Sequence, residues 1–247
     1  GISLGVAAII IVMSVMNGFR IDLTNRIIGL NSHLNIYSFD NEITNKQADE
    51  LILNIDNSFF YQHYKSIETN GLIIKSNNSK GVMIKGYDAY DKNHYLFNSI
   101  NMGALIQNPK SEILIGDSLA NEMNLSVGDK VKIAIPKTDK TILGNIPRFK
   151  TLEVVGVFDL GLYEYDSNLI FLSSELVRKL LLYDEDIYNK IEFFTSSPNE
   201  IELFKNKVEL ETSNLLLNFY SISWKDQNKT LINALKVERM LCLLFFL

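Results

Sequence analysis

No charged residue precedes Arg20: the chain opens GISLGVAAIIIVMSVMNGF, uncharged and mostly apolar from Gly1 to Phe19. A helix rises about 1.5 Å per residue, so this stretch nearly crosses a bilayer core of about 30 Å. A second apolar run, Met240–Leu247, lies at the other end, and every charge falls between the two. That layout predicts a piece of a larger membrane protein: most of one spanning helix, an extramembrane domain and the start of a second span. A buried helix of a water-soluble domain is the competing reading, and the matching run at the far end weighs against it. With no basic n-region and a long apolar core, the first run is not expected to be a complete signal peptide. Gly1-Ile2-Ser3-Leu4-Gly5 spells the nucleophile-elbow pattern of serine hydrolases. That pattern needs a strand, a sharp turn and a helix, and inside a continuous apolar helix it carries no chemistry. Gly1 and Gly5 instead have the small-residue spacing that lets helices approach closely in lipid.

Between the runs lie about 200 residues, enough for one domain with a substantial core or two small lobes. They hold 24 basic and 29 acidic residues, a mildly acidic balance. Nucleic acid, which selects basic surfaces, is therefore not an expected partner. Basic clusters of the kind that bind lipid headgroups are missing beside the apolar runs. Cys242, the only cysteine, sits in the second run, so the domain has no disulfide.

In chain order, the first helix is expected to continue to about Ile28 and stop at Gly29. His33–Phe39 alternates as a strand, and Ala48, Leu51, Ile52 and Ile55 give Asn45–Ile55 a helical period. Strands are expected at Gly71–Lys75, Gly81–Gly86 and Glu112–Ile115, and a short helix at Ser118–Asn124. Val127-Gly128-Asp129 turns into a strand at Lys130–Ile135, followed by another at Thr151–Phe158. Later come a strand at Leu169–Leu172, a helix at Ser174–Leu182, a strand at Lys190–Thr195, a helix at Pro198–Glu211 and a strand at Leu217–Ser223. Lys225–Arg239 is expected to form one helix running into Met240–Leu247. The fold class is α+β: an α/β lobe with helices on a mostly antiparallel sheet, and a β-rich lobe inserted at about 81–166.

The link Pro136–Lys150, PKTDKTILGNIPRFK, exceeds the two to five residues common in hairpin loops. It shows Ile142, Leu143, Ile146 and Phe149 among basic residues. Two readings stay open: a functional extended loop, or a hairpin whose apolar residues pack on the domain's own surface.

His33, His63 and His94 have no metal-ligand spacing. Gly81 and Gly86 have the first spacing of a phosphate loop, but Tyr87 follows where lysine is required. Glu164 and Asp166 are close in sequence without partners for acid–base work, and such a pair usually marks a turn or an ion pair. Trp224 suits either a binding face or packing at a helix start. Nothing in the sequence argues for an enzyme.

Several segments, in order, carry a family likeness: Ser14-Val15-Met16-Asn17-Gly18-Phe19; Gly81-Val82-Met83-Ile84-Lys85-Gly86-Tyr87-Asp88; and Ile115-Gly116 through Leu119-Ala120 to Gly128-Asp129-Lys130-Val131. Val155-Gly156-Val157-Phe158, Tyr163-Glu164-Tyr165-Asp166-Ser167, Ser223-Trp224 and Ala234-Leu235-Lys236-Val237-Glu238-Arg239 complete the set. Together they resemble the integral membrane subunits of bacterial lipoprotein-releasing ABC transporters, the LolC/LolE type, over essentially the whole chain.

The resemblance implies a multi-pass protein of the bacterial inner membrane, with four spans and a large periplasmic domain between the first two. On that reading residues 1–28 are the first transmembrane helix and its periplasmic extension. Residues 29–228 are a MacB-like periplasmic core domain, and residues 229–247 lead into the second span. The implied partners are a separate LolD-like ABC ATPase, which would hold ATP and Mg, and a second membrane subunit or second copy. A LolA-like soluble periplasmic carrier and the lipoprotein substrates themselves complete the list; no cofactor is implied in this chain. The family's task suits an apolar groove, since each buried methylene contributes about 0.8 kcal/mol. Val12, Val15, Met16, Asn17 and Phe19 are the groove candidates, with plain helix packing the alternative for each. Similar subunits carry a hook that grips the carrier, and Leu143, Gly144, Asn145, Ile146, Pro147, Arg148 and Lys150 resemble it. Leu143 and Ile146 would be apolar anchors, Pro147 a stiffener, and Arg148 and Lys150 steering charges.

Two other readings compete. A MacB-type export permease would share the layout but would be favoured by a missing hook. An FtsX-type scaffold that transmits ATPase motion to a periplasmic partner would be expected to have a smaller domain. A membrane-anchored hydrolase lacks any site.

Overall fold

The computed structural model describes residues 2–30, 32–90, 92, 94–141, 144–184, 186–230, 232–234 and 237. For residues 136–141 and 144–147 the description is of the backbone. Two folding units share one 10-stranded sheet.

The first unit is built from both ends of the domain. Helix α1 (Ile2–Leu30) leads into strand β1 (Leu34–Ser38) and a short strand β2 (Ile43–Thr44). Helix α2 (Asn45–Asn54) then starts at a capping box: the Thr44 side chain accepts from the Gln47 backbone, and the Gln47 side chain accepts from the Thr44 N–H. Strand β3 (Gln62–Lys75) follows. From the far end come strand β11 (Lys190–Phe194), helix α6 (Ile201–Asn214), strand β12 (Phe219–Ser223) and the short helix α7 (Trp224–Gln227). The strands lie in the order β12-β1-β11-β3, every neighbour antiparallel. This is the order of a split βαβ repeat, with α2 and α6 on one face. Alternation along β1 and β11 turns Leu34, Ile36, Ile191 and Phe193 to that face, where they bury with Leu51, Phe204 and Val208.

The second unit is inserted between β3 and β11. Its strands are β4 (Asn78–Tyr87), β6 (Glu112–Gly116), β7 (Lys130–Thr141), β8 (Gly144–Phe158) and β9 (Leu169–Ser173). The pairings run from β3 to β4, β9, β6, β8 and β7 and return to β3. The strands therefore close into a six-stranded barrel, which leaves no free edge within the ring. Ile67, Ile73, Val82, Ile84, Ile113, Val131, Ile133, Val154 and Ile170 fill it. Helix α3 (Asp117–Met123) and helix α5 (Ser174–Leu181) add Leu119, Met123, Val177 and Leu180 to the same core. Gly86 is required where α5 lies against β4: a Cβ there would sit 2.9 Å from Val177 and 3.1 Å from the Ser174 backbone.

Outside the barrel, Tyr87, Leu114, Phe158, Leu169 and Phe171 form a third cluster. A 3-10 turn (Tyr95–Ser99), strand β5 (Ile100–Gly103) and helix α4 (Tyr163–Asn168) belong to this outer layer, and strand β10 (Ile187–Tyr188) pairs with β2.

The mixed α/β architecture matches the sequence expectation, and the differences have local causes. The middle core draws on Ile67 through Tyr188, a wider span than 81–166, because the single long strand β3 serves both units. Pro136–Lys150, expected as a loop, is mostly paired strand. Glu164 and Asp166 lie on α4 rather than in a turn. The helix expected from Lys225 is interrupted by a turn at Asn228, after which residues 229, 230, 232–234 and 237 are helical. Helix α1 runs to Leu30, and Ile28 packs on the first unit's core. Side chains at 2–6, 8 and 9, among others in α1, lie outside the description. Among the described residues no helix is long and apolar enough to cross a membrane. The flanking spans thus belong to the reading proposed below.

Candidate functional site

The β7–β8 hairpin changes character along its length. From Lys130 opposite Glu153 to Ile135 opposite Arg148 it is a wall of the barrel, and β7 also pairs with β3 at Ala134, Ile133 and Lys132. Between Ile135 and Thr138 the register shifts, and Pro136, which has no N–H to give, falls within that irregularity. Beyond it Thr138 pairs with Pro147, Asp139 with Ile146, Lys140 with Asn145 and Thr141 with Gly144. Among the described residues neither strand has a second neighbour there. At about 3.4 Å per residue this free ribbon extends roughly 10–14 Å past the sheet.

The hook residues read from the sequence divide accordingly. Gly144, Asn145, Ile146 and Pro147 lie on the free part of β8, and Leu143 falls outside the described residues. Lys150 is exposed at the base. Arg148 is engaged: its Nη1 donates to the Lys179 carbonyl at 3.1 Å. That carbonyl is in the last turn of α5, where a guanidinium also complements the helix dipole. Arg148 thus ties the base of the arm to the barrel's helix, a bond between residues far apart in sequence.

On α1, Val12, Val15, Met16 and Phe19 follow the i, i+3, i+4, i+7 spacing of one helix face. Val12, Val15 and Phe19 are 56%, 64% and 56% exposed, so the domain covers none of them. Asn17 is exposed and sits about 100° around the helix from Met16, off that stripe. The arm leaves the barrel and α1 joins the split βαβ unit, so the two candidate surfaces have different supports.

Between these supports lies a group that sequence reasoning did not assemble. Glu68 on β3, Lys85 on β4, and Lys190 and Glu192 on β11 are neighbours on one face of the sheet. Lys190 Nζ lies 2.9 Å from Glu68 and 3.0 Å from Glu192; Lys85 Nζ lies 3.4 Å from Glu192 and 3.9 Å from Glu68. Tyr87 adds a hydroxyl donated to Glu192 at 2.6 Å. Burial opposes ionisation of Glu192, but Lys190 and Lys85 outweigh it and hold the carboxyl well below the usual range. Burial likewise pulls on Lys190, and Glu192 and Glu68 more than restore its charge. Lys85, at longer distances, is left lowered by burial and by the Lys190 ammonium. The only sequence signal was charged residues at alternate positions of apolar strands, and pairing them required the sheet register.

The remaining chemical candidates have structural duties. His33 is buried between α1 and β11, with Phe194 edge-on at 5.6 Å. His63 packs against Phe60 and Phe193. His94 caps the 3-10 turn within an aromatic group that includes Tyr64, Tyr87 and Tyr90. Among the described residues no group of His, Cys, Asp and Glu could hold a metal ion. Asp166 is buried and accepts from the Leu160 N–H at 2.8 Å, whereas Glu164 on the same helix is exposed. Trp224 is buried, and its Nε1 donates to the Pro198 carbonyl at 2.8 Å, the packing role rather than the binding face. A cleft of about 480 Å³ beside edge strand β5 is lined by Tyr90, Phe97, Ile100, Leu105 and Ile106. No sequence motif marked it.

The MacB-like periplasmic core domain family matches residues 1–209. The chain belongs to that family. It is 28% identical over 192 residues to the lipoprotein-releasing system transmembrane protein LolC of Neisseria meningitidis, covering 76% of this chain and 46% of that protein. It is 24% identical over 254 residues to the LolC protein of Buchnera aphidicola from Schizaphis graminum, covering 100% of this chain and 60% of that one. The resemblance to lipoprotein-releasing subunits drawn from the sequence is thereby borne out, and the chain spans about half the length of these curated relatives. In fold it is similar to the periplasmic region of MacB from Actinobacillus actinomycetemcomitans, with TM-score 0.52 and 14% identity over 83% of this chain and 95% of that one. The extracellular domain of the ABC-type transporter YknZ from Gram-positive bacteria gives TM-score 0.51 at 12% identity, covering 77% and 99%.

Proposed function

We propose that the chain is part of a membrane subunit of an ABC transporter that extracts outer-membrane lipoproteins from the inner membrane and passes them to a soluble periplasmic carrier. The observation that carries this reading is the free end of the β7–β8 hairpin. A two-stranded ribbon with no further paired strand among the described residues contributes little to its own fold, and here it coincides with the segment resembling the carrier-gripping hook. Pro147 limits the conformations the ribbon gives up on binding, and a hairpin offers a partner both backbone and side chains. The relatives named for lipoprotein release support the same assignment.

On this reading α1 is the first span, and its uncharged stretch from Ile2 to Phe19 supports that placement. The stripe Val12, Val15, Met16 and Phe19 lines the path of the acyl chains, with Asn17 turned to the headgroup or to a neighbouring helix. The protein is multi-pass in the inner membrane with this domain periplasmic. It works as a pair with a second subunit of its kind, and a separate ATPase supplies ATP hydrolysis with Mg, leaving this chain without a cofactor. A MacB-type export permease is the second reading, supported by likeness of fold alone.

The test is a photo-crosslinking amino acid at Ile146 of the full-length protein in cells. Capture of the periplasmic lipoprotein carrier, lost when Pro147 is replaced by Gly, is the expected result. No capture from Ile146, Leu143 or Lys150, with the protein folded and bound to its ATPase, would remove the hook and favour the export permease.

A further inference from the structure

His33 stands where three segments of the chain meet. Its Nε2 lies 3.1 Å from the Ile28 carbonyl, and its Nδ1 accepts the Thr195 N–H at 2.8 Å. Its own backbone N–H donates to the Phe193 carbonyl at 2.8 Å, and its carbonyl accepts the Trp224 N–H at 2.9 Å. One residue is thus bonded to the end of α1, to the end of β11 and to the start of α7. The Ile28 carbonyl belongs to the last turn of α1, where no intrahelical donor remains, so the imidazole fills a vacancy the helix itself creates. Beyond α7 the chain continues through Asn228 into residues 229, 230 and 232–234, bonded by the Ile232 N–H to the Asn228 carbonyl at 2.9 Å. Ile232 and Ile28 pack on the same core. The end of α1 and the segment after α7 are therefore both held on the unit that carries this ring.

The bonding selects one form of the imidazole. Nδ1 receives an N–H and must be the acceptor; Nε2 faces a carbonyl and must be the donor. A second proton on Nδ1 would point at the Thr195 N–H and remove that bond. Burial, opposed by the two backbone bonds, holds His33 below its ordinary value of 6.5. The described charged groups of β11 and α7 have partners of their own: Glu192 with Lys190 and Lys85, Asp226 with Lys205 and Ser223, and Lys225 with the Asn199 carbonyl, while Tyr61 packs beside Phe194.

We propose that the His33 imidazole is the joint that ties the end of α1 to the β11 end of the sheet, and that a proton on Nδ1 loosens it by removing the bond from Thr195. The inference is independent of what the transporter carries. Its pH dependence has a definite sign. The unfolded chain takes up the proton near 6.5 and the folded joint only at lower pH, so the joint is intact above that value and weakens as pH falls below it.

The test uses full-length protein in nanodiscs, spin-labelled at Ile21 on α1 and Leu210 on α6, both exposed at 50% and 54%. Pulsed dipolar distances at pH 7.5 should give one narrow distribution that broadens progressively between pH 6.5 and 4.5. His33→Ala should be broad at every pH. Hydrogen exchange at Thr195, corrected for the intrinsic rate, should rise about fivefold to tenfold with acid or with His33→Ala, while the barrel strands keep their protection. A wild-type distribution that stays narrow to pH 4.5 would overturn the proposal, as would a folded His33→Ala variant with wild-type distances. Should His33→Ala fail to fold, the wild-type titration decides alone.

Discussion

The two long hairpins of this protein, β3–β4 and β7–β8, are similar in length and opposite in duty. Every pair from Ser66–Tyr87 to Lys75–Asn78 is in unbroken register, and neighbours flank the hairpin: β11 and β7 beside β3, β9 beside β4. It carries Glu68 and Lys85 of the buried charge group, and Gly86 under α5. The β7–β8 hairpin begins as a wall of the same barrel, breaks register after Ile135, and continues with no neighbour among the described residues. A strand hemmed in on both sides has its residues chosen by packing; a ribbon released from the sheet is free to serve a partner.

Four measurements can break or sharpen that contrast. Glu192→Gln removes the carboxylate shared by two buried lysines and should cost about 3–5 kcal/mol in urea unfolding, the usual penalty for stranding a buried charge. A loss near zero would mean that water reaches the group and that the hairpin is less enclosed than described. Gly86→Val forces a side chain against Val177 and should cost about 1–3 kcal/mol by the same assay. Arg148→Ala removes the tie to the Lys179 carbonyl at the boundary between wall and arm; about 1 kcal/mol is expected. The smallest effect on stability belongs to the arm itself. Replacing residues 138–147 by a two-residue Asn-Gly turn should change stability by no more than about 0.5 kcal/mol while abolishing carrier capture. An arm whose removal destabilises the barrel would not be the free ribbon described here.

Much of the fold was readable in order. Alternation marked β1 and helical spacing marked α2, and β6, β9, β11, α5 and α6 were placed in order, although those last three strands are buried along almost their whole length and show no period. What escaped had mixed or short signals. Residues 62–70 of β3 carry polar side chains on the face that holds the charge group, so the alternation of apolar residues disappears there. Helix α4 spans a single turn and a half around Asp166, too short for a period to show. Pro136–Lys150 read as a loop, and only strand pairing makes it an arm. The free ribbon nonetheless overlaps the segment singled out in the sequence, at Gly144, Asn145, Ile146 and Pro147. The tie of Arg148 to α5 was invisible, since its acceptor is a backbone carbonyl that any residue at position 179 would supply.

By itself the sequence determined where charge is permitted, which segments alternate and which turn, and that one link is longer and more apolar than a turn requires. These are properties of single segments, set by which face each buries. Only the tertiary structure decided that six strands close into a barrel inserted in a split βαβ unit, and that Glu68, Lys85, Lys190 and Glu192 meet on one face. It alone brought α1, β11 and α7 together at His33. Each of those facts is a relation between residues far apart in the chain, fixed by sheet register and by the need of every buried polar group for a partner.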